Sequence, residues 1–180
     1  MTFLLDTFVC PPFAENTYLV GDAAGEAVVI DPGGRIDEVL RTAELRGVRI
    51  TQIWGTHSHI DHMAGVAELR ARTGASFLLH RDAMPMLAGL PIQAQRFGLP
   101  PVEVPTVDGA ITAGDTVTVG GLSFTVRDTP GHAPGHVTFV GPDVAYGGVT
   151  APVAFCGDVV FQGSIGRTDL PGGDYAQLLQ

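Results

Sequence analysis

Residues Thr56–His62 read THSHIDH, and this stretch decides how the rest of the chain is read. It gathers three of the six histidines and one carboxylate into a single turn. Imidazole is an awkward core group that titrates near neutral pH, so a cluster of this kind needs a reason. In extended backbone, residues two apart point the same way, which lets His57 and His59 face one centre from one side. Two neutral imidazoles make half of a tetrahedral zinc shell. Asp61 and His62 follow where the chain bends, so they aim at a neighbouring point, close enough to serve a second metal a few ångström away.

Outward from the turn, the patterning predicts its setting. FLLDTFV (3–9), NTYLV (16–20) and EAVVI (26–30) read as strands. Asp31-Pro32-Gly33-Gly34 is a hard stop, and apolar residues at 36, 39, 40, 43 and 45 before Gly47 predict a helix. A strand over 50–54 runs straight into the histidines, and MAGVAELRARTG predicts a helix over 63–74 closed by Gly74. FLLH (77–80) is a strand that ends in a solvated His80, and residues 81 to 98 are helical or irregular with proline breaks. The second half is a run of short β-type segments: VEV (102–104), TVTV (116–119), LSFTVR (122–127), HVTFV (136–140) and VAFC (153–156). The pattern predicts an α/β (α+β) chain with two sheets flanked by helices.

The totals agree with one folded unit. A chain of 180 residues, 45% apolar and 16% charged, suits a single domain over 1–180 with a real core. The 24 glycines and 13 prolines predict tight turns. No apolar run is long enough to span a membrane and the N-terminus lacks the basic start of a secretory signal, so the expectation is a soluble cytoplasmic protein. The formal net charge of −9, with no basic cluster, argues against nucleic acid as a partner. Two cysteines are too few for a disulfide framework, and Cys156, in an apolar run, reads as a buried free thiol.

Two more stretches belong with the histidine turn. DTPGHAPGH, Asp128–His136, sets His132 in a loop stiffened by Pro130, Gly131 and Pro134. FCGD, Phe155–Asp158, ends an apolar strand in a carboxylate, which is expensive to bury unless a cation pairs with it. With two oxygens, Asp158 has the means to bridge two ions. His136 is expected to hydrogen-bond the loop rather than touch metal, and Asp31 to anchor a turn beside the site.

THSHIDH, TPGHAPGH and FCGD, together with AENTYLV and VVIDPGG in the same order, resemble the metallo-β-lactamase superfamily across nearly the whole chain. The run VVFQGSIGRTDLPGGD, Val159–Asp174, further resembles the glyoxalase II branch, whose members hydrolyse thioesters. The resemblance implies an αββα sandwich of two mixed β-sheets with metals at one edge. It puts His57, His59 and His132 on a first metal, Asp61 and His62 on a second, and Asp158 between them. It also puts Arg167, nine positions after Asp158, against a carboxylate of the thiol carrier. Relatives carry one more histidine ligand beyond a helix that here begins near Asp174. The chain ends at Gln180, so the expectation is a domain without its C-terminal strand and helix.

The chemistry that follows is hydrolysis. A divalent metal, Zn2+ at one or two per chain with Fe or Mn as alternatives, lowers the pKa of water to roughly 7 and makes hydroxide available without a side-chain base. Asp61 is the residue placed to orient it. A thiol leaves as thiolate without an acid, which favours a small-molecule thioester as substrate. Two other readings stay open: a mononuclear iron persulfide dioxygenase using His57, His132 and Asp158, and a metal-binding scaffold without turnover. A homodimer also stays open.

Overall fold

The computed structural model describes residues 3–22, 24–146 and 149–180, with Tyr146 known by its backbone alone. The chain opens with three strands, β1 (Phe3–Cys10), β2 (Glu15–Asp22) and β3 (Glu26–Ile30), joined as antiparallel neighbours. Helix α1 (Ile36–Arg46) follows, with Asp37 and Glu38 in its first turn and Arg46 in its last, both favourable to the helix dipole. It ends at Gly47, whose φ of 68° is the left-handed cap that glycine takes without strain. Next come β4 (Arg49–Trp54), α2 (Ile60–Met63), α3 (Val66–Thr73) and β5 (Ser76–His80). After a 3-10 turn at Arg81–Ala83 the chain forms α4 (Met84–Leu87), α5 (Leu90–Arg96) and β6 (Gly109–Ile111).

These six strands form one mixed sheet in chain order, antiparallel from β1 to β3 and parallel from β3 to β6. The second sheet is built from β7 (Thr116–Val119), β8 (Leu122–Asp128), β9 (Val137–Tyr146) and β10 (Val149–Phe155). All of its pairings are antiparallel, where two mixed sheets were expected. A two-stranded ribbon, β11 (Val160–Phe161) with β12 (Ser164–Ile165), and a short α6 (Tyr175–Leu178) complete the described residues. None of the described helices is long and apolar enough to cross a membrane.

Strand β3 shows why the layers stack as they do. Its EAVVI run is buried on both faces, as a central strand of a covered sheet must be. Ala27 and Val29 face α1 and α3, where they join Val39, Val66 and Leu69. Val28 and Ile30 face the second sheet, where they join Trp54, Phe124, Val126 and Phe139. Burying each of these larger side chains contributes about 1.5–3 kcal/mol. Trp54 meets Phe124 edge-on at 5.2 Å between ring centroids, and its Nε1 donates to Gln52 Oε1 at 2.8 Å. Gln52 Nε2 in turn donates to the Thr118 carbonyl at 2.7 Å, a polar tie between the sheets.

Two expectations change. The helix over 63–74 starts only at Val66, and Met63 ends the separate α2, because Gly65 docks its backbone: its N–H donates to the Pro32 carbonyl at 2.8 Å, and a Cβ would lie 2.6 Å from Ile36 Cδ1. VEV at 102–104 is not a strand; Pro100, Pro101 and Pro105 deprive the segment of ladder donors. Val102 packs instead on the helix-side core. β6 lies just beyond it, too short at three residues to show a period in the sequence.

Candidate metal centre

Ligands in sheets with parallel strands gather beyond the carboxyl ends of those strands. Here Asp31 follows β3, Thr56–His59 follow β4 and His80 ends β5. The second sheet meets this edge through the loop between β8 and β9, which carries His132 and His136, and through Asp158 just past β10. Val137 N donates to the Thr56 carbonyl at 2.9 Å and joins the two edges.

The structure brings the predicted ligands together in two groups. His57 Nε2 lies 3.0 Å from His59 Nδ1, which lies 2.8 Å from His132 Nε2. Beside them, His62 Nε2 is 3.7 Å from Asp61 Oδ2 and 3.2 Å from Asp158 Oδ1. The other Asp158 oxygen, Oδ2, is 3.4 Å from His132 Nε2, so the carboxylate has one oxygen toward each group. His57, His62 and His132 are buried, while His59, Asp61 and Asp158 are partly open to the cleft.

Contacts behind the rings fix which nitrogen carries the proton. Thr56 Oγ1 donates to Asp31 Oδ2 at 2.6 Å, so its oxygen accepts from His57 Nδ1–H at 3.0 Å and leaves His57 Nε2 bare. His132 Nδ1–H donates to the Arg167 carbonyl at 2.8 Å, which leaves His132 Nε2 bare as well. Two bare lone pairs therefore face His59 Nδ1, which carries at most one proton. His62 Nδ1 donates to Asp31 Oδ2 at 3.0 Å, and its buried Nε2 lies between two carboxylates without the alignment a hydrogen bond needs. Converging lone pairs, an orphaned buried nitrogen and a two-faced carboxylate are the donor set a divalent cation takes, and these residues fit one.

Electrostatics separates the two groups. Burial lowers the His59 imidazole to about 4 and His57 well below its usual value, and the surrounding histidines push the same way. Burial also acts downward on His62, but its contacts with Asp158 and Asp31 outweigh it and raise the ring well above its usual range. Asp158 shows the reciprocal effect: burial opposes ionisation, yet His62 holds its carboxyl low. Asp61 is raised, chiefly by burial.

Asp31, His136 and Arg167 lie around the two groups. Asp31 accepts from Thr56 N at 2.7 Å as well as from Thr56 Oγ1 and His62. Its φ of 50° is a left-handed conformation that aspartate tolerates better than most residues, held here by these bonds. His136 bonds the loop, with Nδ1 3.0 Å from Thr129 Oγ1 and Nε2 accepting from Asp158 N at 3.1 Å. Burial lowers it to about 3. Arg167 lines the cleft with His59, Asp61 and Asp158, but its guanidinium grips Asp169 through two contacts of 2.7 Å.

His80 and Cys156 depart from expectation. His80 is buried rather than solvated: its Nδ1 accepts from Asp82 N at 3.2 Å, and a Cβ on Gly135 would lie 2.9 Å from that nitrogen, so it packs under the His132 loop. Cys156 is only half-buried, because Pro152 and Ala154 on the open side of β10 leave it uncovered; the buried thiol is Cys10, 3.3 Å from Thr17 Oγ1. The sequence reading also passed over Glu15, a buried carboxyl 4.0 Å from His62 Nδ1 that burial raises to about 9. Its one signal was an acid at the head of an apolar strand.

A family model described as the Metallo-beta-lactamase superfamily matches residues 10–180. Hydroxyacylglutathione hydrolase GloC of Haemophilus influenzae is 35% identical over 169 residues, which is 93% of this chain and 76% of that protein. Among solved structures, BLEG-1 B3 metallo-beta-lactamase superposes with a TM-score of 0.83 at 30% identity, over 98% of this chain and 82% of that one. TTHA1623 in a di-iron-bound form superposes with a TM-score of 0.79 at 33% identity, over 97% and 82%.

Proposed function

The chain belongs to the metallo-beta-lactamase superfamily, and from that membership we propose that it is a metal-dependent thioester hydrolase of the hydroxyacylglutathione hydrolase type. The observation that carries the reading is the pair of adjoining groups, three imidazoles and a histidine with two carboxylates, that share Asp158. His57, His59 and His132 would hold one divalent ion, and Asp61, His62 and Asp158 a second. Zinc is the proposed metal, and iron is the alternative that the di-iron neighbour favours. When bound, such ions polarise a carbonyl and supply a nucleophilic hydroxide at neutral pH.

The chain's own residues do the rest. Asp61, partly open to the cleft, would orient the attacking hydroxide. Asp31, Thr56 and the Arg167 carbonyl hold His62, His57 and His132 in single ring orientations, so little reorganises during turnover. The C–S bond breaks as the carbonyl re-forms, giving a carboxylic acid and a thiolate that needs no general acid. Arg167, on the cleft wall, would exchange its Asp169 partner for an anionic group of the thiol carrier.

The test joins elemental analysis of protein purified without added metal to the hydrolysis of S-lactoylglutathione. Bound zinc or iron with thioester cleavage that a chelator abolishes is the expected result. Oxygen consumption on a persulfide, or metal with no hydrolysis of any thioester, would overturn the reading. Arg167→Ala is expected to raise KM several-fold with little change in kcat.

A further inference from the structure

Beside the metal groups lies an open apolar pocket of about 580 Å³, a size that holds a drug-sized ligand. Its walls come from α4 and α5 on one side and from Pro134 and the Leu170–Gly172 turn on the other, with Met86, Ile92 and Phe97 among the lining side chains. The charged residues that reach it are Asp82 and Arg96, both exposed. His59 lines this pocket and also the cleft that contains Asp61, Asp158 and Arg167; Gln93, Phe97 and Leu170 are shared in the same way. The pocket is thus continuous with the place where a scissile carbonyl would sit.

The wall is fastened to the site. Gln93 Oε1 accepts from Ile60 N at 3.0 Å, and Gln93 Nε2 donates to the Ser58 carbonyl at 3.2 Å and the Met86 carbonyl at 3.3 Å. One side chain therefore ties α5 and the end of α4 to the histidine turn. An apolar recess held at fixed distance from the reacting centre sorts substrates by their hydrocarbon content.

Resting on the thioesterase reading above, we propose that this pocket receives the acyl half of the substrate and that the enzyme prefers apolar acyl chains to the lactoyl group. Met86, Ile92, Phe97 and Pro134 offer an anionic carrier nothing to bond, and Arg96, the cation that lines this pocket, is exposed to solvent. Arg167 lines the adjoining cleft with Asp61 and Asp158 and is absent from the lining of the apolar pocket. The two ends of the substrate are so assigned by chemistry: hydrocarbon toward α4 and α5, charge toward Arg167.

The experiment uses N-acetylcysteamine thioesters from acetyl to decanoyl, together with direct binding of 11-(dansylamino)undecanoic acid to the purified protein by fluorescence. The expected kcat/KM rises about 4-fold per methylene up to a plateau, the fold-change that corresponds to about 0.8 kcal/mol per buried CH2. Met86→Glu and Ile92→Asp, at half-buried and exposed positions that leave the core untouched, are expected to lower the octanoyl-to-acetyl ratio about tenfold and to weaken probe binding. A flat chain-length series with thioesters hydrolysed, or probe binding indifferent to both substitutions, overturns the acyl assignment and leaves the thioesterase reading standing. Saturable probe binding lost in the variants, with no thioester hydrolysed, does the reverse: the pocket keeps its acyl ligand and the proposed reaction falls.

Discussion

The two ligand groups share Asp158 but differ in what holds them. In the first, three imidazoles converge, and burial keeps His57 and His59 neutral at pH 7. In the second, one imidazole sits between two carboxylates, and its raised pKa means that it enters the neutral range carrying a proton. The first group is ready to accept a cation as it stands. The second supplies the negative charge that balances the cation, but it must expel a proton from His62 to do so. The difference teaches that one site binds by preorganisation and the other by exchange of a proton for a metal. Loading of the second group should therefore tighten as pH rises.

The largest expected effect breaks the comparison from the preorganised side. His57→Ala removes a ligand with no slack around it, and is expected to cut thioester turnover by roughly 10³-fold, equal to about 4 kcal/mol of lost stabilisation. Metal content should fall by at least one ion per chain in the same protein. Full metal content with normal turnover would make the carboxylate group the primary site.

His62→Ala attacks the exchange side, with a smaller expected loss of turnover than His57→Ala. One metal should remain, because the three imidazoles of the other group are untouched. The variant should also lose the pH-dependence of metal uptake, which isothermal titration at pH 6 and pH 8 would show. Loss of all metal would mean that the groups load only as a pair.

A sharper comparison comes from behind the ligands. Thr56→Val keeps the shape of the side chain and deletes the hydroxyl that reads out the Asp31 charge to His57. With the ring free to change tautomer, metal affinity at the first group is expected to drop about tenfold. The second group keeps its own contact with Asp31 through His62 and should change less. Equal losses at both groups would show that Asp31, rather than the tautomer of His57, carries the effect.

How much of this was legible in the sequence follows from the range of the interactions involved. The ligand groups were legible because THSHIDH, TPGHAPGH and FCGD each concentrate donors within a few residues, and extended backbone fixes their direction. The layered fold was legible from runs such as EAVVI, apolar at successive positions because both faces are covered. What stayed hidden depends on neighbours far along the chain. The break at Gly65 exists because Pro32 and Ile36 lie against it, and His80 is buried because the loop at Gly135 closes over it. No local pattern encodes either contact. The pairing of Arg167 with Asp169 is local, but a charge two residues away is so common that it carried no signal.

Glu15 gives the smallest and most specific test, because it senses the proton side of the comparison without being a ligand. Burial raises its carboxyl to about 9 against an ordinary 4.5, with Asp31 and Asp61 pushing upward and the His62 charge pulling down. Between those two values the unfolded chain gives up a proton that the folded chain keeps. Stability is therefore complete below about pH 4.5 and falls as pH rises toward about 9. Glu15→Gln removes the titration and keeps the shape, and an amide can still accept from Thr17 Oγ1, now 3.2 Å from Glu15 Oε2. In chelator-treated protein the substitution should leave Tm nearly unchanged at pH 5 and raise it by a few degrees at pH 8, since about 1 kcal/mol moves Tm by roughly 2–4 °C in a chain of this size. Parallel Tm curves for the two proteins across that range would mean that Glu15 is ionised in the folded state. The proton held beside His62 would then have to be assigned to the imidazole alone.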